Sequence, residues 1–271
     1  MKTFLFSIDL EEFYAERAEF RRTPLPELVE RYLDLLRRRG MKATFFVVGE
    51  IAKKFPSALR AIASEGHELA CHTYDHIPLS EQDAGTLHDD LRRNLDALAE
   101  FAGGPIQGFR APILSLGEKQ QWAYEVLAAL GFTYSSSVLP ARNPLHGWPG
   151  FGLAPRRMGG VLEIPVTLSR VFGMEVPVGA GTYFRCLPFG AIRKRFDKLA
   201  GEDTAVVGYF HPYDLDTAQE RVMSRGVRGS RILNALLYVN RARTLRRLES
   251  VLDAGFHIMP YREFIPTLAH V

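Results

Sequence analysis

Two histidines four residues apart, His72 and His76, stand in the run Cys71-His72-Thr73-Tyr74-Asp75-His76. On a helical turn this spacing puts both imidazoles on one side, close enough to hold one divalent metal ion. The residues before them, Gly66-His67-Glu68-Leu69-Ala70, read as the end of a buried strand. A fixed strand end feeding an exposed turn is a frequent way to build a catalytic site in an α/β barrel. Near the amino terminus, Asp9 and Glu11 follow the apolar run 4–8 at positions i and i+2, so an extended backbone points both carboxylates the same way. Carboxylates so placed repel each other unless a cation or a proton lies between them. They read as one metal ligand and one general base, against the plainer reading of a solvated acidic turn. Farther on, Arg110 ends a short apolar strand, and His211 ends another immediately before Pro212. An imidazole at a strand end suits proton transfer better than packing.

These side chains need a scaffold, and the hydrophobic pattern supplies one. Apolar runs at 4–8, 42–49, 66–70, 107–112, 132–134, 161–166, 204–210 and 255–259 read as strands. Between them, 24–39, 50–55, 57–65, 83–102, 117–130 and 188–200 carry helical periodicity. Gly40 closes the first of these helices, and Arg37-Arg38-Arg39 suit its negative end. Strand–helix alternation, with polar residues gathered where strands end, predicts an α/β barrel or a doubly wound sheet with its site at that end, and the short, regularly spaced strands favour the barrel. The expectation is a single domain over 1–271, interrupted by a Pro- and Gly-rich loop region around 139–185. A substrate loop is expected at 179–185, where Tyr183 would offer a stacking face and Arg185 a fixed cation. The stretch 221–247, rich in arginine around an apolar centre, reads as an outer barrel helix or as a basic amphipathic face for an anionic membrane surface.

Bulk composition bounds the function. The chain has 271 residues, 46% hydrophobic and 24% charged, enough for a sizeable core. A net charge of +3 gives no sign of nucleic-acid binding. Two cysteines, Cys71 and Cys186, are too few for a disulfide framework. The apolar run at the amino terminus is short for a signal peptide, and none approaches the roughly 18–20 residues of a membrane span. A cytoplasmic location, or one peripheral to the inner face of the membrane, is therefore expected.

Taken in order, Asp9-x-Glu11, Thr44-Phe45-Phe46, Gly66-His67-Glu68 with His72-x3-His76, Arg110-Ala111-Pro112, Ser135-Ser136-Ser137 and His211 resemble the polysaccharide deacetylase family. These are the NodB-homology proteins, or family 4 carbohydrate esterases. The likeness runs from Phe4 to about Arg262. The Asp-x-Glu start, the Tyr183-Phe184-Arg185 run and the His211-Pro212 ending look most like a subgroup linked to bacterial surface polysaccharide synthesis. The resemblance implies a distorted (β/α)7 barrel that removes N-acyl groups, acetyl or formyl, from sugars. It implies a divalent metal, zinc first, held by Glu11, His72 and His76. Asp9 would be the general base, Arg110 its orienting partner and His211 the general acid, with Tyr183, Arg185 and Pro112 at the substrate. An acylated sugar linked to a nucleotide or a lipid fits a cytoplasmic enzyme better than a finished wall polymer, and lipopolysaccharide O-antigen assembly is the expected setting.

Two departures from the family pattern bear on the chemistry. Leu10 separates Asp9 from Glu11 where the family has adjacent aspartates, which makes Glu12 a rival ligand. Ser135 stands where the family has an aspartate in its Tyr-Asp-Ser-Ser run. Three other readings stay open: a hydrolase of this fold acting on a non-sugar amide such as a cyclic imide or ureide, a sugar-binding barrel with weakened catalysis, and a barrel in which the two histidines are merely packed.

Overall fold

The computed structural model describes residues 2–13, 24–142, 146–171, 173–201, 205–224, 227 and 229–268. Its first strand, β1 (Lys2–Leu10), is buried from Phe4 onward. Such a run, apolar on both faces, belongs at the centre of a parallel sheet. The following strands are β2 (Thr44–Val47), β3 (Glu68–Cys71), β4 (Gly108–Phe109), β5 (Tyr134–Ser135), β6 (Arg156–Met158), β7 (Val161–Glu163), β8 (Ser169–Val171), β9 (Met174–Val176), β10 (Val206–Phe210) and β11 (Phe256–Ile258). The main sheet runs β10-β1-β2-β3-β4-β5-β7-β6, with β11 also paired to β1. All pairs from β10 to β7 are parallel, and β6 folds back on β7 as an antiparallel edge.

The two ends of the parallel path meet. Thr167, just past β7, donates its backbone N–H to the Val207 carbonyl of β10 at 3.3 Å and accepts the Val207 N–H on its hydroxyl at 2.8 Å. An inner cluster is drawn from around the ring: Leu5 of β1, Phe46 of β2, Ala70 of β3, Tyr134 of β5, Leu162 of β7 and Val207 of β10. Alternation within β1 places Leu5, Ser7 and Asp9 on this inner face and Phe4, Phe6 and Ile8 on the outer one. Seven parallel strands joined at a side-chain-assisted seam make the distorted (β/α)7 barrel expected above.

The helices are α1 (Leu25–Arg39), α2 (Gly49–Lys54), α3 (Pro56–Ser64), α4 (Ala84–Leu98), α5 (Ala123–Ala129), α6 (Gly181–Cys186), α7 (Phe189–Gly201), α8 (Arg231–Leu236), α9 (Thr244–Leu252) and α10 (Tyr261–Phe264), the last of which packs Tyr261 into the inner cluster. Gly40, at φ 62°, ends α1 in the left-handed conformation that glycine adopts without strain. A capping box between Asp83 and Thr86 starts α4. The region 139–185 contains β6, β7, the β8–β9 hairpin and most of α6. The segment before α6 approaches β10 so closely that a Cβ on Gly208 would overlap the Gly179 carbonyl.

Several boundaries differ from the sequence reading. The substrate loop expected at 179–185 is α6. The long helix expected over 117–130 is a 3-10 turn followed by α5. The arginine-rich stretch 221–247 is broken into α8, a 3-10 turn and the start of α9. Thr204, where the seventh expected strand begins, lies outside the described residues, as do 143–145 and 172 of the expected insertion.

Candidate active site

The polar ends of the parallel strands converge. Glu11 follows β1, and its Oε2 lies 2.6 Å from His76 Nε2 and 3.7 Å from His72 Nε2. Donor atoms of the three residues all fall within 4.8 Å of one another. Tyr213 donates its hydroxyl to Glu11 Oε1 at 3.2 Å, which leaves Oε2 facing the rings. His72 Nδ1 lies 2.8 Å from the Arg110 carbonyl. A carbonyl can only accept, so Nδ1 carries the proton and Nε2 presents its lone pair to the cluster. Two imidazole nitrogens and one carboxylate oxygen, with one ring fixed from behind, fit a catalytic zinc site. Burial by itself would raise the Glu11 carboxyl, but the His76, His72 and His211 imidazoles hold it well below the ordinary range. Glu12 points elsewhere and pairs with Lys54 at 2.5 Å.

The peptide carrying the imidazoles is a loop and not the helical turn expected from the i, i+4 spacing. Thr73 (φ 62°) and His76 (φ 54°) both adopt left-handed backbone, which is strained for a β-branched threonine. Helix α4 holds the loop in place. Asp90 accepts the backbone N–H groups of Tyr74 and Asp75 at 2.7 and 3.0 Å, and Asn94 Nδ2 donates to the Thr73 carbonyl. Neither residue stood out in the sequence, because nothing local ties α4 to the Glu11, His72 and His76 cluster.

Arg110, at the end of β4, is fully buried and completely partnered. Its Nη1 donates to Asp9 Oδ1 at 2.7 Å and to Ser7 Oγ at 2.6 Å. Its Nη2 donates to Ser136 Oγ and the Tyr261 hydroxyl, both at 3.0 Å, and its Nε to the Ser136 carbonyl at 2.8 Å. Phe46 lies flat below, with its ring centre 4.0 Å from the guanidinium carbon. The Asp9 carboxylate is therefore held beside a fixed cation.

His211 leaves the end of β10, next to β1. Its Nε2 lies 3.7 Å from Glu11 Oε1, and its Nδ1 is 3.3 Å from Asp214 Oδ2. Tyr213 stacks on the ring at 4.5 Å. Burial lowers the His211 pKa, but Asp214, Glu11 and Asp9 outweigh it, and the ring is a stronger base than an ordinary histidine. Arg185 Nε donates to Asp214 Oδ1 at 2.9 Å and holds that carboxyl well below the usual range, against the upward effect of burial. A side chain at Gly181, the first residue of α6, would overlap the Asp214 carboxylate.

This geometry corrects one of the expected substrate residues, Arg185. Arg185 is fully buried, and its donors are taken by Asp214, Thr182 and the carbonyls of Leu237 and Val239. It supports the His211 partner and does not face substrate. Pro112 is buried at the start of a 3-10 turn whose exposed residue is Ile113. Tyr183 is half-buried on α6 against the main core.

The missing aspartate at 135 has a neighbour in compensation. Glu163 on β7 is the register partner of Ser135. Its Oε1 accepts the backbone N–H groups of Ser137 and Val138 at 2.7 and 2.9 Å, and its Oε2 accepts the Tyr124 hydroxyl at 3.1 Å. A carboxylate thus shapes the serine turn that grips Arg110, although it comes from the next strand. A cavity of about 200 Å³ opens beside Glu11, lined by Phe13, Leu25, Leu28 and Tyr213 and rimmed by Gln219 and Glu220.

Comparison with known proteins agrees with this architecture. Residues 20–135 match the family model described as polysaccharide deacetylase, and residues 136–264 match a domain of unknown function (DUF3473). A peptidoglycan-N-acetylglucosamine deacetylase of Bacillus cereus is 35% identical over 100 residues, covering 36% of this chain and 36% of that protein. A chitooligosaccharide deacetylase of Azorhizobium caulinodans is 31% identical over 90 residues, covering 33% of this chain and 43% of its own length. The chain thus spans less than half the length of these curated relatives. In fold, a crystal structure assigned to a polysaccharide deacetylase of Mycobacterium smegmatis superposes with a TM-score of 0.63 at 20% identity, over 89% of this chain and 77% of that one. On these matches residues 20–135 carry a polysaccharide deacetylase (NodB, carbohydrate esterase family 4) domain.

Proposed function

We propose that this chain is a metal-dependent N-deacylase that removes an acetyl or formyl group from an amino sugar during assembly of a bacterial surface polysaccharide, of the lipopolysaccharide O-antigen kind. The sugar is carried on a nucleotide or a lipid, and the enzyme works in the cytoplasm or at the inner face of the membrane. One observation carries the reading. A carboxylate base and an imidazole acid, each braced by a buried partner of opposite charge, stand on adjacent strands beside a Glu-His-His cluster. The relatives named for peptidoglycan and chitooligosaccharide deacetylation support an N-acylated sugar as the substrate class.

Glu11, His72 and His76 would hold the ion, which supplies Lewis-acid polarisation of the amide carbonyl and of water. Asp9 takes the proton from the attacking water, and Arg110 Nη1 holds that carboxylate in position. The tetrahedral carbon loses its nitrogen only when that nitrogen is protonated, because an amide anion is a very poor leaving group. His211 delivers this proton from Nε2, while Asp214 steadies the imidazolium from the Nδ1 side. The C–N bond breaks, the carboxylic acid keeps the water oxygen, and the amine leaves with the His211 proton.

The test is amine release from N-acetyl and N-formyl amino sugars, offered free, nucleotide-linked and lipid-linked, with and without a chelator. Cyclic imides serve as the competing substrate class. Turnover of imides alone, or turnover of sugars that ignores metal removal, overturns the proposal.

A further inference from the structure

Helix α8 has no buried residue. Large apolar side chains are exposed at seven places among the described residues, and four of these are Ile232, Leu233, Leu236 and Val239. Ile232 is the most open of all, at 77%. Positions 232, 236 and 239 recur at helical spacing, so the tips share one side of the segment. Around them the charge has one sign. Residues 221–247 hold eight arginines and no aspartate, glutamate or lysine. Of these arginines, Arg221, Arg231, Arg243 and Arg246 are exposed. Arg241 and Arg247 are buried and donate mainly to backbone carbonyls, so they build the segment and leave its surface to the others. The acidic residues flanking the stretch are Glu220 and Glu249, and Glu249 is paired with Arg38 at 3.1 Å.

The segment is anchored and close to the site. Ser230 caps α8 through the Leu233 N–H. The Asn234 side chain straps the helix to residues 222–224, accepting from Ser224 N and donating to the Val222 carbonyl, both at 3.0 Å. Arg185, the partner of Asp214, donates to the carbonyls of Leu237 and Val239. The rim of the cavity beside Glu11 ends at Glu220, where the arginine-rich stretch begins.

We infer that this surface docks the enzyme on an anionic lipid bilayer, with Ile232, Leu233, Leu236 and Val239 entering the headgroup region and the arginines meeting lipid phosphates. Apolar tips ringed by arginine suit that boundary, because each guanidinium stays at headgroup level while its stem lies along the acyl chains. A helix whose apolar side chains stay exposed in its own protein gains apolar contacts there. The inference rests on the proposed lipid-linked substrate for its purpose only. Docking and catalysis have separate readouts.

The experiment is co-sedimentation of the full chain with phosphatidylcholine vesicles, with and without phosphatidylglycerol, across a salt series. Turnover of a soluble acylated sugar and light scattering are recorded alongside. Binding is expected only with phosphatidylglycerol and is expected to fall as salt rises. Each arginine near such a surface is worth about fivefold in partitioning, so Arg231→Ser, Arg243→Ser and Arg246→Ser together should weaken it roughly a hundredfold. Ile232→Asp with Leu236→Asp should abolish binding and leave the soluble sugar's turnover intact. Three results would overturn docking: no binding at low salt, unchanged binding by both variants, or a dimer in solution that the apolar substitutions dissolve.

Discussion

Arg110 and Asp9 form a closed pair, Nη1 to Oδ1 at 2.7 Å, with the carboxylate 4% and the guanidinium 0% exposed. The pair spans the barrel from β4 to β1, so Asp9 is set by a strand three places away in the sheet. Asp9→Asn keeps the shape but removes the proton acceptor. Turnover should fall by about 10³-fold or more. Metal content, read by elemental analysis, should stay near that of the parent, and full activity would remove Asp9 from the mechanism.

Glu11 and Glu12 make a clean discrimination, since one faces two imidazoles and the other faces Lys54. Glu11→Gln, or His76→Ala, should lower the bound zinc and raise the concentration needed to restore activity. Glu12→Gln should leave both unchanged. Loss of metal in the Glu12 variant would reassign the ligand.

The raised pKa of His211 depends on Asp214. The acid form exists below that pKa, so turnover declines as pH rises through it. Asp214→Asn removes the counter-charge and lowers the pKa. The alkaline limb of the kcat profile should then move to lower pH, with kcat down about 10- to 100-fold and KM little altered. A profile that keeps its alkaline limb would show that another group is the acid.

Glu163 separates acceptor geometry from charge. Burial raises its carboxyl, and its contacts to Ser137 and Val138 need only an oxygen acceptor. Glu163→Gln should therefore fold and turn over nearly as the parent does. Glu163→Ala orphans two buried N–H groups and should cost roughly 2–4 kcal/mol of stability in chemical denaturation, with a lower kcat because Ser136 no longer holds Arg110 in place.

His67 predicts acid sensitivity. Burial, helped by the Lys42 charge, pushes it down to about 4 from 6.5, and its Nδ1 accepts the Ala43 N–H at 3.2 Å. Between these values the unfolded chain takes up a proton that the folded chain refuses, so stability falls as pH drops through that window. His67→Gln should flatten the dependence of the melting temperature between pH 7 and pH 4.

Much of this site was legible in the amino-acid order because its chemistry lies at the ends of apolar runs. Asp9, Glu11, His72, His76, Arg110 and His211 each end or closely follow a strand that pattern alone marks. Their supports were hidden for a common reason. Asp90 and Asn94 reach the 72–76 loop from a helix, and Glu163 reaches the serine turn from a neighbouring strand. Only tertiary packing makes those meetings. The 72–76 segment went wrong because i, i+4 spacing describes a helix, and the left-handed Thr73 and His76 break it. Arg185 misled for the opposite reason: a cation in a Gly-rich run looks exposed until α6 forms and buries it. Asp214 had a signal in its place, three residues past His211 within one short turn.

Gly208 and Gly179 touch backbone to backbone, and His211 lies three residues downstream, just past the end of β10. A single methyl at position 208 would wedge α6 away from β10 and carry Arg185 off with it. The position least able to vary in a saturation library should thus be one that offers no functional group at all.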